Sequence, residues 1–488
     1  MSTNLPRQEF SILSNGLGLV EESPNRFVFI GPSSKGTANV LQAFSQKNDI
    51  TDAVGYGPAP EDAAYSMGQG GSLLFMKTSA SVAGTNGSVT ATLVGTATGT
   101  VTLADAPYDS YTAIIEIMTT GTVGTGEFRY TLDNGKTYSE TLTIPAGGTY
   151  TIPNTGITAT FVPGAGAIYF EAGDTHSWTS VGPSMNATDL GTAITALRAD
   201  QTTWPVLVIC CRFADASTAT TFFSALSTHL DTLEGDFRFV RAIMYAGDDD
   251  EATTDTAFDA VSDDRIMVVY GNAPTASGLV VAGRGFPSLG VGLAAGRAAK
   301  VKLSTALHRV ASGPLPGADS TLLSHDERQT ESVDSHKLTT FRTWLERGGA
   351  FVTRGRLKAA AGSDFQFWQL GRVMDEACRV TYLAQQLFIA KGVRTTTTGA
   401  IDDRDAGRWE SGVQADLEAA LLQPVNEEGT KGHVSSIAPS EGLGYKIDRT
   451  NNVQSTATII STVALRPLAY PDVIQTTMGY SLAVPVAA

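Results

Sequence analysis

The chain has 488 residues, 34 of them basic and 49 acidic, for a formal charge of −15, and charged side chains make up only 17% of it. A surface with that balance repels a phosphate backbone, which argues against direct binding of nucleic acid. The length calls for about three cores, and the wealth of Gly, Thr, Ala and Ser suits many short strands and extensive protein contacts.

The opening MSTNLPRQEF lacks a basic stretch followed by an apolar block, and nowhere do eighteen apolar residues run together. The expectation is a chain that is neither exported by that route nor inserted in a membrane. Cys210 and Cys211 are neighbours in an apolar strand and point to opposite faces, so with Cys378 they are expected to be free thiols of a reducing cytosol.

Residues 1–20 read as an N-terminal arm. Phe10, Ile12, Leu17, Leu19 and Val20 give a short apolar alternation with too few neighbours to make a sheet. Such a strand either folds back on its own domain or pairs elsewhere. Residues 21–81 begin an α/β core, with a buried strand at Phe27–Gly31, a short helix from Val40 to Phe44 and a second strand at Ser72–Lys77.

Residues 82–181 change character and read as an inserted, sandwich-like all-β domain. Strands are expected at Ser88–Val94, Tyr111–Thr119, Glu127–Leu132, Thr137–Ile144, Ile157–Val162 and Ile168–Glu171, with Asn134-Gly135 as a hairpin turn. Trp178, Tyr138 and Tyr150 serve either as stacking platforms for a sugar or host surface or as core. The sequence shows no converging polar cluster beside them, which favours a decorating domain.

Residues 182–330 alternate helices with fully apolar strands. Asn186 caps a first helix, Val206–Phe213 is a strand, Ala216–Leu233 a helix, Phe237–Tyr245 a strand, Asp250 opens an acidic helix, and Ile266–Tyr270 is a strand. The pattern predicts a parallel sheet covered on both faces. Ligands of such sheets bind beyond the carboxyl ends of the strands, yet the usual motifs are missing. GVGLAAG is one residue too long for a dinucleotide fingerprint, there is no phosphate loop and no GxSxG, and Asp248–Asp250 lacks calcium-loop spacing. The six histidines, His176, His229, His308, His325, His336 and His433, form no zinc motif. No catalytic residue, metal or cofactor is predicted. Gly278–Lys302 and Asp319–Asp326 read as a turn-rich connection.

Residues 331–469 form a further domain. Ser335–Glu346 is expected as a helix with Leu338, Phe341, Trp344 and Leu345 inward, and Ala350–Arg356 as a strand. Ser363 and Gln366 have the form of a capping box for a long helix to Phe388. Its apolar stripe is Leu370, Val373, Met374, Ala377, Thr381, Ala384, Leu387 and Phe388, with Arg372, Asp375, Glu376, Arg379 and Gln385 opposite. Asp402–Leu422 repeats the design around Trp409 and Leu417 after a Gly- and Thr-rich loop. Two long antiparallel strands, His433–Ile447 and Val453–Leu468, follow with open edges. Residues 470–488 are a C-terminal arm, alternating through Val473, Thr476, Met478, Tyr480, Leu482 and Val484.

A lone strand at each end and a hairpin with open edges are all completed if strands are exchanged between copies, through Leu17, Leu19 and Val20 at one end and Ile474, Met478, Tyr480, Leu482 and Val484 at the other. Arms taken from different neighbours give a heterologous contact, which builds a helical lattice rather than a closed dimer.

The run FVTRGRLKAAAGSDFQFWQLGRVMDEACRVTYLAQQLF, followed by GAIDDRDAGRWESGVQADLEAAL, resembles the carboxy-terminal domain of contractile phage tail sheath proteins. The resemblance is good over Phe341–Leu468, weaker in the preceding α/β stretch and weakest in the arms. It implies a mixed α/β multidomain subunit whose arms complete a neighbour's sheet. It also implies stacked hexameric rings around an inner tail tube, baseplate and tail-terminator partners, assembly in the host cytoplasm and a place in the virion. The carboxy-terminal domain would face the tube, with Arg372, Arg379, Lys391 and Arg394 as candidate contacts. The competing readings are a β-rich receptor-binding or decorating virion protein and an α/β enzyme carrying a β module.

Overall fold

A computed structural model describes residues 26–165, 169–275, 279, 281–285, 287, 290–472 and 474–475. They form two compact units that divide within one helix, between Glu376 and Ala377, the second unit also taking in residues 304–306.

The first unit opens with β1 (Phe27–Gly31), β2 (Leu41–Phe44), α1 (Lys47–Val54), α2 (Pro58–Gly70) and β3 (Leu73–Lys77). Val40–Phe44, expected as a helix, is the edge strand β2, antiparallel to β3 from Leu41–Met76 to Phe44–Leu73. A helix starting there would have to be nucleated at a cost, while the neighbouring strand supplies hydrogen bonds at once.

Then follow β4 (Thr85–Asn86), β5 (Thr90–Thr92), β6 (Thr100–Ala104), β7 (Tyr111–Thr119), β8 (Glu127–Thr131), β9 (Leu142–Thr143), β10 (Thr149–Thr151), β11 (Thr158–Val162) and β12 (Thr175–Val181). They make a three-stranded sheet, β10-β11-β6, and a larger one in the order β4-β12-β7-β8-β9 with β5 also on β12. The two share a core of Phe128, Tyr130, Phe161, Phe170 and Trp178. Asn134 and Gly135 both take positive φ, 59° and 81°, as the turn demands. The strand expected after it shrinks to Leu142–Thr143, because Asp133 accepts from Thr137 N and Oγ1 and closes a wider loop.

The chain returns through α3 (Ala187–Ala199), β13 (Val206–Ile209), α4 (Ala216–Gly235), β14 (Arg241–Tyr245), α5 (Glu251–Asp259) and β15 (Ile266–Val269). Asn186 caps α3 in a full capping box with Asp189. The six-stranded sheet runs β15-β14-β13-β1-β3-β2, parallel except for β2. Its strands VLVI and IMVV are wholly buried, as a sheet covered on both faces requires.

Where a turn-rich connection was expected, GVGLAAGRAAK forms α6 (Gly290–Lys300). The glycines are there for packing: a Cβ on Gly292 would lie 2.9 Å from Asp62 Cα, and one on Gly296 2.8 Å from Tyr65 Cε1, so α6 closes tightly on α2. Gly292→Leu forces the two backbones apart and is expected to cost about 1–3 kcal/mol in equilibrium unfolding, the usual range for overpacking. An unchanged midpoint would refute the close approach.

Ser335–Glu346 is not a helix. Val333–His336 is one 3-10 turn, followed by the hairpin β16 (Phe341–Trp344) and β17 (Arg347–Val352). Alternation replaces helical periodicity, so Phe341 is buried while Trp344 and Leu345 face out. Next come α7 (Trp368–Gln386) and α8 (Asp403–Leu421). Ser363 does not cap α7: its Oγ accepts from Phe365 N and donates to Asp264, and Gln366 donates to the carbonyls of Ala360 and Ser363, shaping the turn five residues before the helix begins.

In the second unit α8 carries Val413, Leu417 and Leu421 inward, and Trp409 stacks on Phe388 at 4.6 Å. The two long strands expected after it are broken into β18 (Val434–Ser436), β19 (Gly444–Ile447), a helical turn α9 (Val453–Thr456), β20 (Ser461–Ala464) and β21 (Arg466–Pro467). β18 pairs with β21 and β19 with β20, both antiparallel. Asn452 caps α9 through Ser455 N, and Pro439 and Gly442 close another turn, which is why neither strand runs through.

Candidate functional site

The core sheet reverses its strand order at β1, which has β3 on one side and β13 on the other. Beyond the carboxyl ends of these strands lies a cavity of about 420 Å³, lined among others by Tyr111, Lys136, Arg212, Asp248, Asn272 and Arg284. Open α/β sheets place ligands at this position.

Five ionisable side chains are buried around it. Glu61 and Asp62 come from α2, Asp109 from the turn before β7, Arg212 from the end of the β13 run and Arg284 from the segment before α6. Arg284 Nη1 binds Glu61 Oε1 and lies 3.1 Å from Asp109 Oδ2, its Nη2 donates to Ser110 O, and its guanidinium sits 4.9 Å from the Tyr111 ring centroid. Arg212 lies 3.8 Å from Asp109 and 4.0 Å from Asp62.

Burial pushes the Glu61 carboxyl up to about 8 against the pull of Arg284, and Asp62 up to about 6 against that of Arg212. Burial thus favours the protonated form of Glu61 beside the two guanidiniums. Burial likewise lifts the Cys210 thiol well above its ordinary range, which removes it as a nucleophile. The charges oppose one another, although Glu61 Oε2 and Asp62 Oδ1 are buried without a hydrogen bond, and Arg284 ties the turn before β7 to α2. The cluster can lock, and it holds no nucleophile–base pair. Among the described residues no group of three or more His, Cys, Asp and Glu is placed to hold a metal.

None of the five was singled out from sequence. The available signals were two acids in an Ala-rich helix, Pro58–Gly70, and an arginine closing the apolar run VLVICCR.

A second charged knot holds α5. His325 Nδ1 lies 2.6 Å from Glu251 and Nε2 2.7 Å from Glu327, while His336 reaches Asp259 at 2.8 Å. Although burial works against its charge, the hydrogen bonds it donates to both glutamates raise the His325 pKa.

Of the residues expected to touch a tube, Arg372 is only 2% exposed and donates to Pro205 O. Its burial takes it off the polar face assigned to it. Asp375, expected on that same face, is also buried: Arg241 Nη2 donates to its Oδ1 at 3.1 Å, and Nε lies 2.7 Å from Oδ2, an ion pair whose angle falls short of a hydrogen bond. Gly371 makes room, since a Cβ there would meet the Arg241 guanidinium at 2.1 Å. Arg379 is half-buried, Lys391 is exposed with its Nζ 5.2 Å from the Phe388 centroid, and Arg394 is exposed and paired to Asp405 at 2.6 Å. Lys391 and Arg394 thus share one stretch of surface with Arg394 already engaged.

Ile474 is 84% exposed, whereas Leu17, Leu19, Val20, Met478, Tyr480, Leu482 and Val484 lie outside the described residues. The second unit shows two two-stranded sheets, and its exposed apolar residues include Leu383, Leu387, Ile389 and Ile460. In the inserted sheets Trp178 is core and Tyr150 packs edge-on against Phe128, while Tyr138 lies under the Arg129 guanidinium.

Comparison with curated proteins returns no match. Among solved structures the chain is similar to the sheath tail protein of Listeria innocua (10% identity, 91% of each chain, TM-score 0.49). It is similar also to the sheath tail protein of Desulfitobacterium hafniense (11% identity, 95% of this chain and 100% of that one, TM-score 0.47). A third similarity is to the contracted helical sheath of the anti-feeding prophage (12% identity, 98% and 99%, TM-score 0.49). The DUF2586 N-terminal domain matches residues 5–356, well over half of the sequence, and the chain belongs to the DUF2586 family.

Proposed function

We propose that the chain is a structural subunit of a contractile tail sheath. It polymerises by strand exchange into stacked hexameric rings around an inner tube, and its contraction drives that tube through a host envelope. The observation that carries this reading is the pair of two-stranded sheets in the second unit, β18–β21 and β19–β20. Two strands alone are marginal in water, and a strand added from another copy would extend each pair. On β19 the Tyr445 and Ile447 N–H groups are already taken by Gln414 and Glu410 of α8, which leaves β20 and the β18–β21 pair as the edges open to addition among the described residues. The sheath-like wording of Phe341–Leu468 supports the same reading. The buried charge cluster supports a structural role, because Arg284 bridges Glu61 of α2 and Asp109 of the turn before β7.

On this reading residues 1–20 and 470–488 are the exchanged arms, 82–181 an outer domain, 331–469 the tube-facing part, and baseplate and terminator proteins cap the assembly. Lys391 and Arg379 remain the proposed tube contacts. The protein would assemble in the host cytoplasm and end as a particle component. The inserted sheets read as decoration rather than a sugar platform, since two of the three candidate aromatics are packed.

Electron microscopy of the purified chain is expected to show tubes with a helical repeat, and removal of residues 1–20 or 471–488 to abolish them with the circular dichroism spectrum of the folded subunit retained. Discrete trimers or monomers at high concentration would overturn the sheath reading.

A further inference from the structure

The β16–β17 hairpin breaks two local rules at its tip. Leu345 is 77% exposed beside a 37% exposed Trp344, and Glu346 sits at φ 60°, where a two-residue connection would ordinarily take Gly or Asn. The base of the hairpin, in contrast, is firmly seated. Phe341, Ala350, Phe351 and Val352 are buried, and Asp326 takes hydrogen bonds from Thr343 N at 3.0 Å and Thr343 Oγ1 at 2.6 Å.

The tip is also basic. Arg342 stacks over the Trp344 ring at 4.0 Å, which fixes the indole outward. Arg328 donates to Thr343 Oγ1 at 2.8 Å, and Arg347 has no ion-pair partner among the described residues. Arg342 and Arg347 outnumber Glu346 at the tip, with Arg328 and Asp326 together at Thr343, so the knob carries a small positive excess on a chain whose net charge is −15. A rigid stalk presenting Trp, Leu and Arg has the composition of an interface anchor, where tryptophan and arginine carry most of the energy.

We propose that this tip is a docking knob whose partner is a second copy of the chain, met on its acidic surface. Charge selects that partner: the knob is locally cationic, and the remainder of the subunit holds the acid excess. A knob of one charge sign does not pair with itself, so the contact joins two different patches, is heterologous and propagates instead of closing. It rests on the self-assembly reading but uses side chains, and is independent of the exchanged strands.

The test compares wild type with Trp344→Ser/Leu345→Ser and with Arg342→Glu/Arg347→Glu, by sedimentation and electron microscopy over a concentration and salt series. Trp344, Leu345 and Arg347 are exposed while Arg342 is half-buried, so circular dichroism checks that both variants fold. The expected result is a rise of at least about tenfold in the concentration needed for assembly, with the charge-reversed variant losing the wild type's salt sensitivity. Tubes forming at the same concentration in all three proteins overturn the knob and leave the sheath reading standing. Non-tubular self-association that the variants abolish supports the knob and removes the sheath. Loss of binding to a labelled single-stranded oligonucleotide, with assembly unchanged, would assign the tip to nucleic acid and overturn the self-contact.

Discussion

Asp375→Ala is expected to destabilise the first unit by about 3–5 kcal/mol, because it strands a buried positive charge rather than merely deleting a contact. Arg241 is 3% exposed and holds Asp375 through two of its nitrogens. Arg372 lies one helical turn away on α7, and burial has already brought its pKa down to about 10 with Asp375 as the chief opposing charge. Removal of the carboxylate leaves two guanidiniums without their shared anion. Asp375→Asn, which keeps the shape and one acceptor, should fall between. Denaturant unfolding followed through the first unit is the measurement, and a loss under about 1 kcal/mol for the alanine variant would show the pair to be dispensable.

Raising the pH from 5 to 9 is expected to weaken the same unit. The Glu61 carboxyl rises from an ordinary 4.5 to about 8 in the folded chain, so between those values the folded state holds a proton that the unfolded state has released. Stability therefore falls as pH rises through that window, by an amount on the order of a few kcal/mol. Asp62, raised to about 6, adds the same sign at lower pH. His325 adds it too: its raised pKa gives stability that is complete below 6.5 and is lost as pH climbs through the folded value. Asp189, lowered by the hydrogen bonds it accepts, acts only at the acid end. Glu61→Gln should flatten the slope between about pH 6 and 8 while leaving the His325 contribution. A slope identical to wild type would remove Glu61 as its source.

What could be read from sequence divides along physical lines. Strands such as FVFIG, VLVI and IMVV announced the core sheet because burial on both faces leaves an unbroken apolar run. Asn186 and Asp250 announced helix starts through local hydrogen bonds made within three residues. α2 and α6 stayed hidden for opposite reasons. The face that α2 buries carries Glu61 and Asp62, which look solvated until Arg284 and Arg212 are found far along the chain, and α6 is rich in glycine because of its neighbour. The same blindness placed Arg372 and Asp375 on an open face. Periodicity sorts residues by polarity, and a buried ion pair is polar on both sides. At Ser335–Glu346 a three-to-four spacing of apolar residues was satisfied equally by a turn and a hairpin, and only the long-range bridge between Val269 and Thr339 decides between them.

The Arg284 knot also bears on how such a protein can be re-engineered or diversified. Exchange of the strands between 82 and 181 would carry Asp109 away, while Arg284 stays behind with Glu61 as its remaining carboxyl partner. A replacement graft would have to bring an acid to the same spot, or the recipient would need an uncharged residue at position 284. A graft without that acid leaves Arg284 and Arg212 one buried carboxyl short, so positions 109, 212 and 284 have to match between host scaffold and cargo.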